Sequence, residues 1–448
     1  MARSAAALAR GGRYPCAMTT AERTVATEAP APEAGSAGPP LRSHESMRLM
    51  VGLSAGHGVK HFYQQTLLLL LPHIKEALLL SDVAAGGIIG ARAAAMGAMN
   101  VPAGVLADMF RSRIALMLTG SMTFLALGYA AIGLASNYWV ILIAVAVCGA
   151  GTSMWHAPAF TELAVRYPQR RAFAIAAHRS GGSVGDSSAP FVIGVLLGGL
   201  SFAGLEWGGL DWRAVALLHV GPAVVTGVVI LLRFKSAGAG SQARMRLREY
   251  LGAARPLFRN PTVIALVSVT ALRGMAHNAF AAFLVLYMAE DLGYSDVVVG
   301  AHLGLLTLLG ILAGPVMGGV SDRIGRRPVI LFGLLTMATL TFAFLWADSG
   351  WALTLNLALL GIVLFSVNSI MMAAAMESVA GGSEGSAVAM LFTGGAIVGA
   401  ISPVIAGAIN QTWDFHGVVV YAGCIAALAA LIAALAPLRE APRPEGQA

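Results

Sequence analysis

The chain states one pattern twice, 214 residues apart. The stretch Gly104-Val105-Leu106-Ala107-Asp108 through Arg113 aligns with Gly318-Gly319-Val320-Ser321-Asp322 through Arg327. The same offset pairs Glu76 with Glu290, Ser81-Asp82-Val83 with Ser295-Asp296-Val297, Gly86 with Gly300 and Gly90 with Gly304. Internal duplication in a very apolar chain points to a membrane transporter assembled from two related halves.

Composition agrees. The chain is 57% hydrophobic and 11% charged, against about 25% charge in a soluble domain. That leaves too little polar surface to coat a water-soluble particle of 448 residues. The net charge of +7 does not imply nucleic acid, because the basic residues fall between apolar runs and form no basic face. Cys16, Cys148 and Cys424 lie far apart and suggest neither disulfide nor metal framework.

Twelve apolar stretches are each long enough for a hydrocarbon core about 30 Å thick. They run 47–71, 83–107, 114–135, 138–165, 172–200, 212–234, 261–289, 296–320, 328–347, 351–379, 384–411 and 415–437. Only helices satisfy their own backbone in lipid over such lengths. The expected fold is an all-α integral membrane protein of twelve transmembrane helices in two six-helix bundles, 47–234 and 261–437. Residues 1–46, rich in Ala, Pro, Glu and Ser, read as a disordered tail, 235–260 as a basic cytoplasmic linker and 438–448 as a second tail. Arg3, Arg10 and Arg13 with no early acid faintly resemble an organelle transit segment; the plainer expectation is that Met18 is the initiator. With the N-terminus inside, 23 of the 29 basic residues fall on the cytoplasmic side, so both termini are expected there.

The second copy of the repeat, completed by Arg323, Gly325, Arg326 and Arg327, reads Gly-x-x-x-Asp-Arg-x-Gly-Arg-Arg. This resembles the signature loop of the major facilitator superfamily. In the first copy Met109, Arg111 and Ser112 replace motif residues, while Gly104, Asp108 and Arg113 remain. The resemblance implies that Asp108 and Asp322 latch a cytoplasmic gate, with Arg166 and Glu377 as partners. The glycines Gly104 and Gly318 would admit a close neighbouring helix. A further repeat at offset 213 pairs Gly181-Gly182, Pro190 and Gly194 with Gly394-Gly395, Pro403 and Gly407. Gly185 to Pro190 partly resembles the Gly-Pro motif of antiporters in the superfamily, although Ala189 stands where that motif has glycine. Gly185, Pro190 and Pro403 are the hinge candidates.

His57, His61 to Gln65 and Leu71-Pro72 look like the first helix of the fosmidomycin-resistance group of efflux proteins. Gly149 to Pro158, containing His156, is similar to that group's Gly-x-Gly-Ser-Ser-x-x-His-Pro stretch, with Ala157 intervening. Together these imply an exporter of small polar or amphipathic compounds; the chain is expected in the plasma (inner) membrane, as a monomer acting on a small molecule and with no cofactor.

Each charge inside a span costs at least about 2.5–3.5 kcal/mol without a partner or wet cavity. Lys60, Arg92, Arg179, Asp186 and Arg273 are such charges. The superfamily's cavity-lining helices would bring Lys60, His61, Gln64, Arg92, His156, Arg273 and His277 together. Their positive excess favours an anionic substrate. The alternative is that some pair internally, Arg179 with Asp186 for instance. His61, His156 and Asp186 are the proton-coupling candidates; His219 and His302 read as packing residues. No phosphate-cradling loop for ATP and no ligand array of metal spacing is visible. The expected function is proton antiport of a drug-like or anionic compound. Uptake of a metabolite anion by proton symport, or a non-transporting sensor on the same fold, are the alternatives.

Overall fold

The computed structural model describes residues 43–202, 204–234, 252, 256–379 and 384–436. The tail expected over 1–46 except its last four residues, most of the linker 235–260 and the tail 438–448 lie outside the described residues. The order is α1 (Ser43–Ala77), α2 (Asp82–Met109), α3 (Ile114–Leu134), α4 (Tyr138–Arg166) and α5 (Arg171–Gly198). A small hairpin, β1 (Leu200–Phe202) and β2 (Leu205–Trp207), follows, then α6 (Trp212–Leu218) and α7 (Val220–Arg233). The second repeat holds α8 (Pro261–Leu286), α9 (Asp296–Ile324), α10 (Arg326–Ala343), α11 (Gly350–Glu377), α12 (Glu384–Gly399) and α13 (Ser402–Leu435).

Side chains that satisfy free N–H groups start several of these helices. Ser81 accepts from the Ala84 amide, Asn137 from Val140, and Asn260 from Thr262 and Val263. Among the described residues, eight helical segments have the length and hydropathy to cross a membrane, the last being Ala387–Leu435. Large apolar side chains such as Leu127, Ile143, Val184 and Leu312 stand exposed on the helix exteriors. Exposed Trp139 and Trp351 stand in the first turns of α4 and α11, Trp346 just past α10 and Trp413 at the break inside α13, as expected of a bilayer-interface belt.

Three span boundaries differ from the sequence reading. The run 212–234 is two helices, divided at His219, whose Nδ1 bonds the Val215 carbonyl at 2.7 Å. The run 384–411 breaks at residues 400–401, just before Pro403 in the first turn of α13. Proline has no N–H to continue the preceding ladder. Helix then continues to Leu435 with only Trp413 and Asp414 non-helical. Asp414 has φ 53°, so the helix is kinked there.

The two repeats meet through matched contacts. α2 packs on α12 and α13, and α5 packs on α9. At one contact a Cβ on Gly86 would strike the Pro403 carbonyl, and at its counterpart a Cβ on Gly300 would strike that of Pro190. Likewise Gly194 lies against the Asp296 carbonyl and Gly407 against that of Asp82. Every residue of one pair maps onto the other by the offsets 214 and 213 read from the sequence. Glycine is needed here because backbone meets backbone. The opposite end of α9 is different. Nothing lies within 4 Å of a Cβ placed on Gly314, Gly318 or Gly319, so the close approach predicted at Gly318 is not made in this conformation.

Candidate functional site

α1, α2, α4, α5 and α8 carry the predicted interior charges, and the structure divides them into two adjoining groups. The first is a chain of imidazoles in the amino-terminal repeat. His57 and His61 stand four apart on α1, with Nε2 atoms 3.1 Å apart. His156 of α4 brings its Nε2 to 3.4 Å from that of His57 and 3.0 Å from the Lys60 ammonium. Lys60 is 0% exposed. On α5, Asp186 accepts from His61 Nδ1 at 2.9 Å and from Gln65 Nε2 at 3.1 Å. The His178 ring stacks on His57 at 4.1 Å between centroids, and its carbonyl accepts from His57 Nδ1 at 2.9 Å. Close α1–α5 packing makes this possible, since a Cβ on Gly185 would strike the Gly58 carbonyl and one on Gly181 that of Ser54.

These partners define the protons. A carbonyl and a carboxylate only accept, so Nδ1 of both His57 and His61 carries hydrogen. Their Nε2 atoms then face each other as acceptors at 3.1 Å, a contact satisfied when one of them holds a second proton. Asp186 supplies the counter-charge.

The three Nε2 atoms lie within 4.8 Å of one another, near enough to share a metal ion. This array was missed in the sequence, where only the spacing of His57 and His61 hinted at it. It does not fit a divalent metal. The buried Lys60 ammonium is on His156 Nε2, where the metal would bind, and the Arg179 charge also acts on His156 and His61. The set fits a proton.

The second group spans both repeats. Arg92 on α2 donates through one terminal nitrogen to the Gln64 carbonyl at 3.2 Å. Arg273 on α8 donates to the Leu364 carbonyl at 3.3 Å and to Asn368 Oδ1 at 3.2 Å. Both guanidiniums keep a buried Nε without a partner, as do Gln64 Oε1 and His277 Nδ1. The charges of Arg92, Arg273 and Asp186 all act on His277, so the two repeats present these groups to one region. A cavity of about 10 Å³ beside Gln64, Arg92, Tyr129 and Thr152 has room for about one water molecule.

Other predicted residues lie elsewhere. Arg179 does not pair with Asp186; it crosses to the second repeat and donates to Ser369 Oγ at 3.0 Å and towards Met372 Sδ at 3.4 Å. His219 is held by Thr66 at 3.0 Å and His302 by Thr354 at 2.8 Å. At the gate motif, Asp322 pairs with Arg326 at 2.5 Å, and Arg326 with Glu377 at 2.7 Å, all within the second repeat. Arg327 bonds the Ala434 carbonyl at 2.6 Å. Arg323 is exposed, and Gly325 has φ 98°, a turn that suits glycine. Arg166 pairs with Glu162 at 2.9 Å. Gly104 is half-buried, Arg113 is exposed, and the Asp108 side chain lies outside the described residues. A cavity of about 760 Å³ is not at these charges. It lies between α1, α5 and the α6–α7 pair, among Val51, Ala55, Phe62 and Val184.

A mostly helical protein with an apolar exterior and charges in its interior is an integral membrane protein. A profile described as Major Facilitator Superfamily matches residues 53–271 and again 266–448. The chain belongs to the major facilitator superfamily, and is an integral, multi-pass membrane protein. It is 24% identical over 360 residues to the fosmidomycin resistance protein of Escherichia coli (strain K12), covering 79% of this chain and 84% of that one. It is 27% identical over 130 residues to an uncharacterized transporter of the superfamily from Bacillus subtilis (strain 168), covering 29% of this chain and 32% of that one. Its fold is similar to an inward-facing, unoccupied bacterial homolog of the human lysosomal transporter Spinster, with TM-score 0.73, 16% identity and coverage of 88% and 97%. A D-xylose-proton symporter is similar with TM-score 0.70, 14% identity and coverage of 90% and 99%.

Proposed function

We propose that the protein exports a small organic anion by proton antiport, through alternating access of twelve spans in two six-helix bundles, 47–234 and 261–437. In this reading α6 and α7 form one span, and Trp413–Asp414 is the turn between the last two. Both termini face the cytoplasm, the loops joining α1 to α2 and α8 to α9 face outward, and a monomer in the plasma membrane suffices.

One observation carries the reading: Arg92 and Arg273, from different repeats, each keep a buried Nε without a partner, and the charges of both act on His277. An oxyanion between them would satisfy donors that each half leaves free, and would be released when the halves part. Lys60, His61, Gln64 and His156 line the approach from the imidazole chain. That chain is the proton-holding element, with His57 added to His61, His156 and Asp186. The relative named for fosmidomycin resistance supports export over uptake.

The test compares cells with and without the protein on fosmidomycin and a panel of organic phosphonates, phosphates and carboxylates. Export predicts lower accumulation and higher tolerance, both lost with a protonophore. Higher accumulation in expressing cells would reverse the direction, and indifference to the protonophore would remove the proton.

A further inference from the structure

The imidazole chain is not the only place where a histidine faces a carboxylate. His73 lies past the expected end of the first span. Its Nε2 is 2.8 Å from Asp296 Oδ1, and both side chains are 28% exposed. The contact joins α1 to α9, and hence one repeat to the other. Beside it Lys75 pairs with Asp82 at 2.6 Å and with Glu290 of the second repeat. Asn410 of α13 donates to Asp82 Oδ2 at 2.9 Å. A cavity of about 490 Å³, lined by His73, Lys75, Glu76, Leu80, Glu290 and Asp296 among others, leads to this layer.

Asp82 and Asp296 are equivalent by the 214 offset, and each opens its helix against a glycine of the opposite repeat. Their partners are not equivalent. Asp82 has a lysine and an amide; Asp296 has an imidazole. Only the second contact changes charge near neutral pH. We propose that His73 is a second proton site, set in the outer gate: its protonated form bridges to Asp296 and holds the gate shut, and its neutral form lets the gate open.

The surroundings agree. The hydrogen bond with Asp296 raises the pKa of His73, partial burial opposes this, and the charges of Asp296, Glu76 and Asp211 raise it further. Lys75 is the neighbouring cation, itself held by Asp82 and Glu290. A raised value means that the closed gate binds the proton more tightly than the open one. The stabilisation is therefore complete below the ordinary histidine value of about 6.5. It is lost as external pH rises through the raised one. In the antiport cycle, a proton arriving from an acidic exterior would thus also shut the gate behind it.

The proposal rests on the orientation given above, but its test does not require transport. Spin labels on cysteines replacing Leu79 and Ser349, with Cys16, Cys148 and Cys424 changed to serine, report the distance across this end of the protein in nanodiscs. The wild-type background should show a short-distance population that falls severalfold between pH 6 and pH 8. His73→Gln should abolish that dependence and favour the long distance. His73→Lys, a permanent cation, should keep the short distance at both pH values. Asp186→Asn should leave the pH response in place. A response that survives His73→Gln overturns the proposal; one that disappears only in Asp186→Asn assigns the sensing to the imidazole chain instead.

Discussion

Arg92 and Arg273 are alike in charge and unlike in attachment. Arg273 ties α8 to α11 through two bonds, to a carbonyl and to Asn368, whereas Arg92 spends one nitrogen on the Gln64 carbonyl. Arg92→Ala should therefore act mainly on binding. We expect the KM for an anionic substrate to rise about tenfold or more, the worth of one charge-assisted hydrogen bond, with the KM for a neutral substrate little changed. Arg273→Ala should raise KM too, but also lower the thermal midpoint, because it unties two helices. Transport kinetics in inverted vesicles and a melting curve separate the two, and equal effects on neutral and anionic substrates would remove the anion. At this scale the sequence picks out the charges that stand inside the spans and is silent about which of them meet. Lys60, Arg92 and Asp186 are conspicuous because charge is costly in lipid. That His57 touches both His61 and His156, 99 residues further along, depends on the crossing of α1 and α4, which no local pattern encodes.

The helices show a similar division. The repeat announced a duplicated structure, and its glycines and prolines turn out to mark the contacts between copies. Gly86→Val and Gly300→Val should each impair transport to a similar degree, since each drives a side chain into a backbone carbonyl of the opposite repeat. Gly314→Val, with nothing within 4 Å, should be tolerated in this conformation. Transport assays normalised to membrane content decide this, and full activity of Gly86→Val would mean that the contact is looser than drawn. Helix boundaries were less legible. Hydropathy does not register the division at His219, because both sides are equally apolar, whereas the break before Pro403 had a visible cause. The hairpin 200–207 carried no such signal; it is paired by backbone bonds between three-residue strands.

For the molecule as a whole, the contacts at the two ends differ. Where α1 meets α2, ion pairs bind one repeat to the other. Where α9 meets α10, Asp322 pairs, among the described residues, only within its own repeat, is 63% exposed, and lies near glycines with open space around them. Its pair with Arg326 should contribute about 1 kcal/mol or less here. Asp322→Asn should then leave insertion and melting unchanged while slowing turnover, because the missing contacts belong to the opposite conformation. Unchanged turnover would rule out a gating role. The matched glycine contacts have one more consequence. They are those of an isologous dimer, in which each patch occurs twice. Two identical six-helix chains meeting this way would have to carry the same residue at both copies of the carboxylate contact. Joining the copies in one chain lifts that constraint, and the lysine and asparagine beside Asp82 opposite the histidine beside Asp296 are an asymmetry that a symmetric pair of identical chains cannot hold.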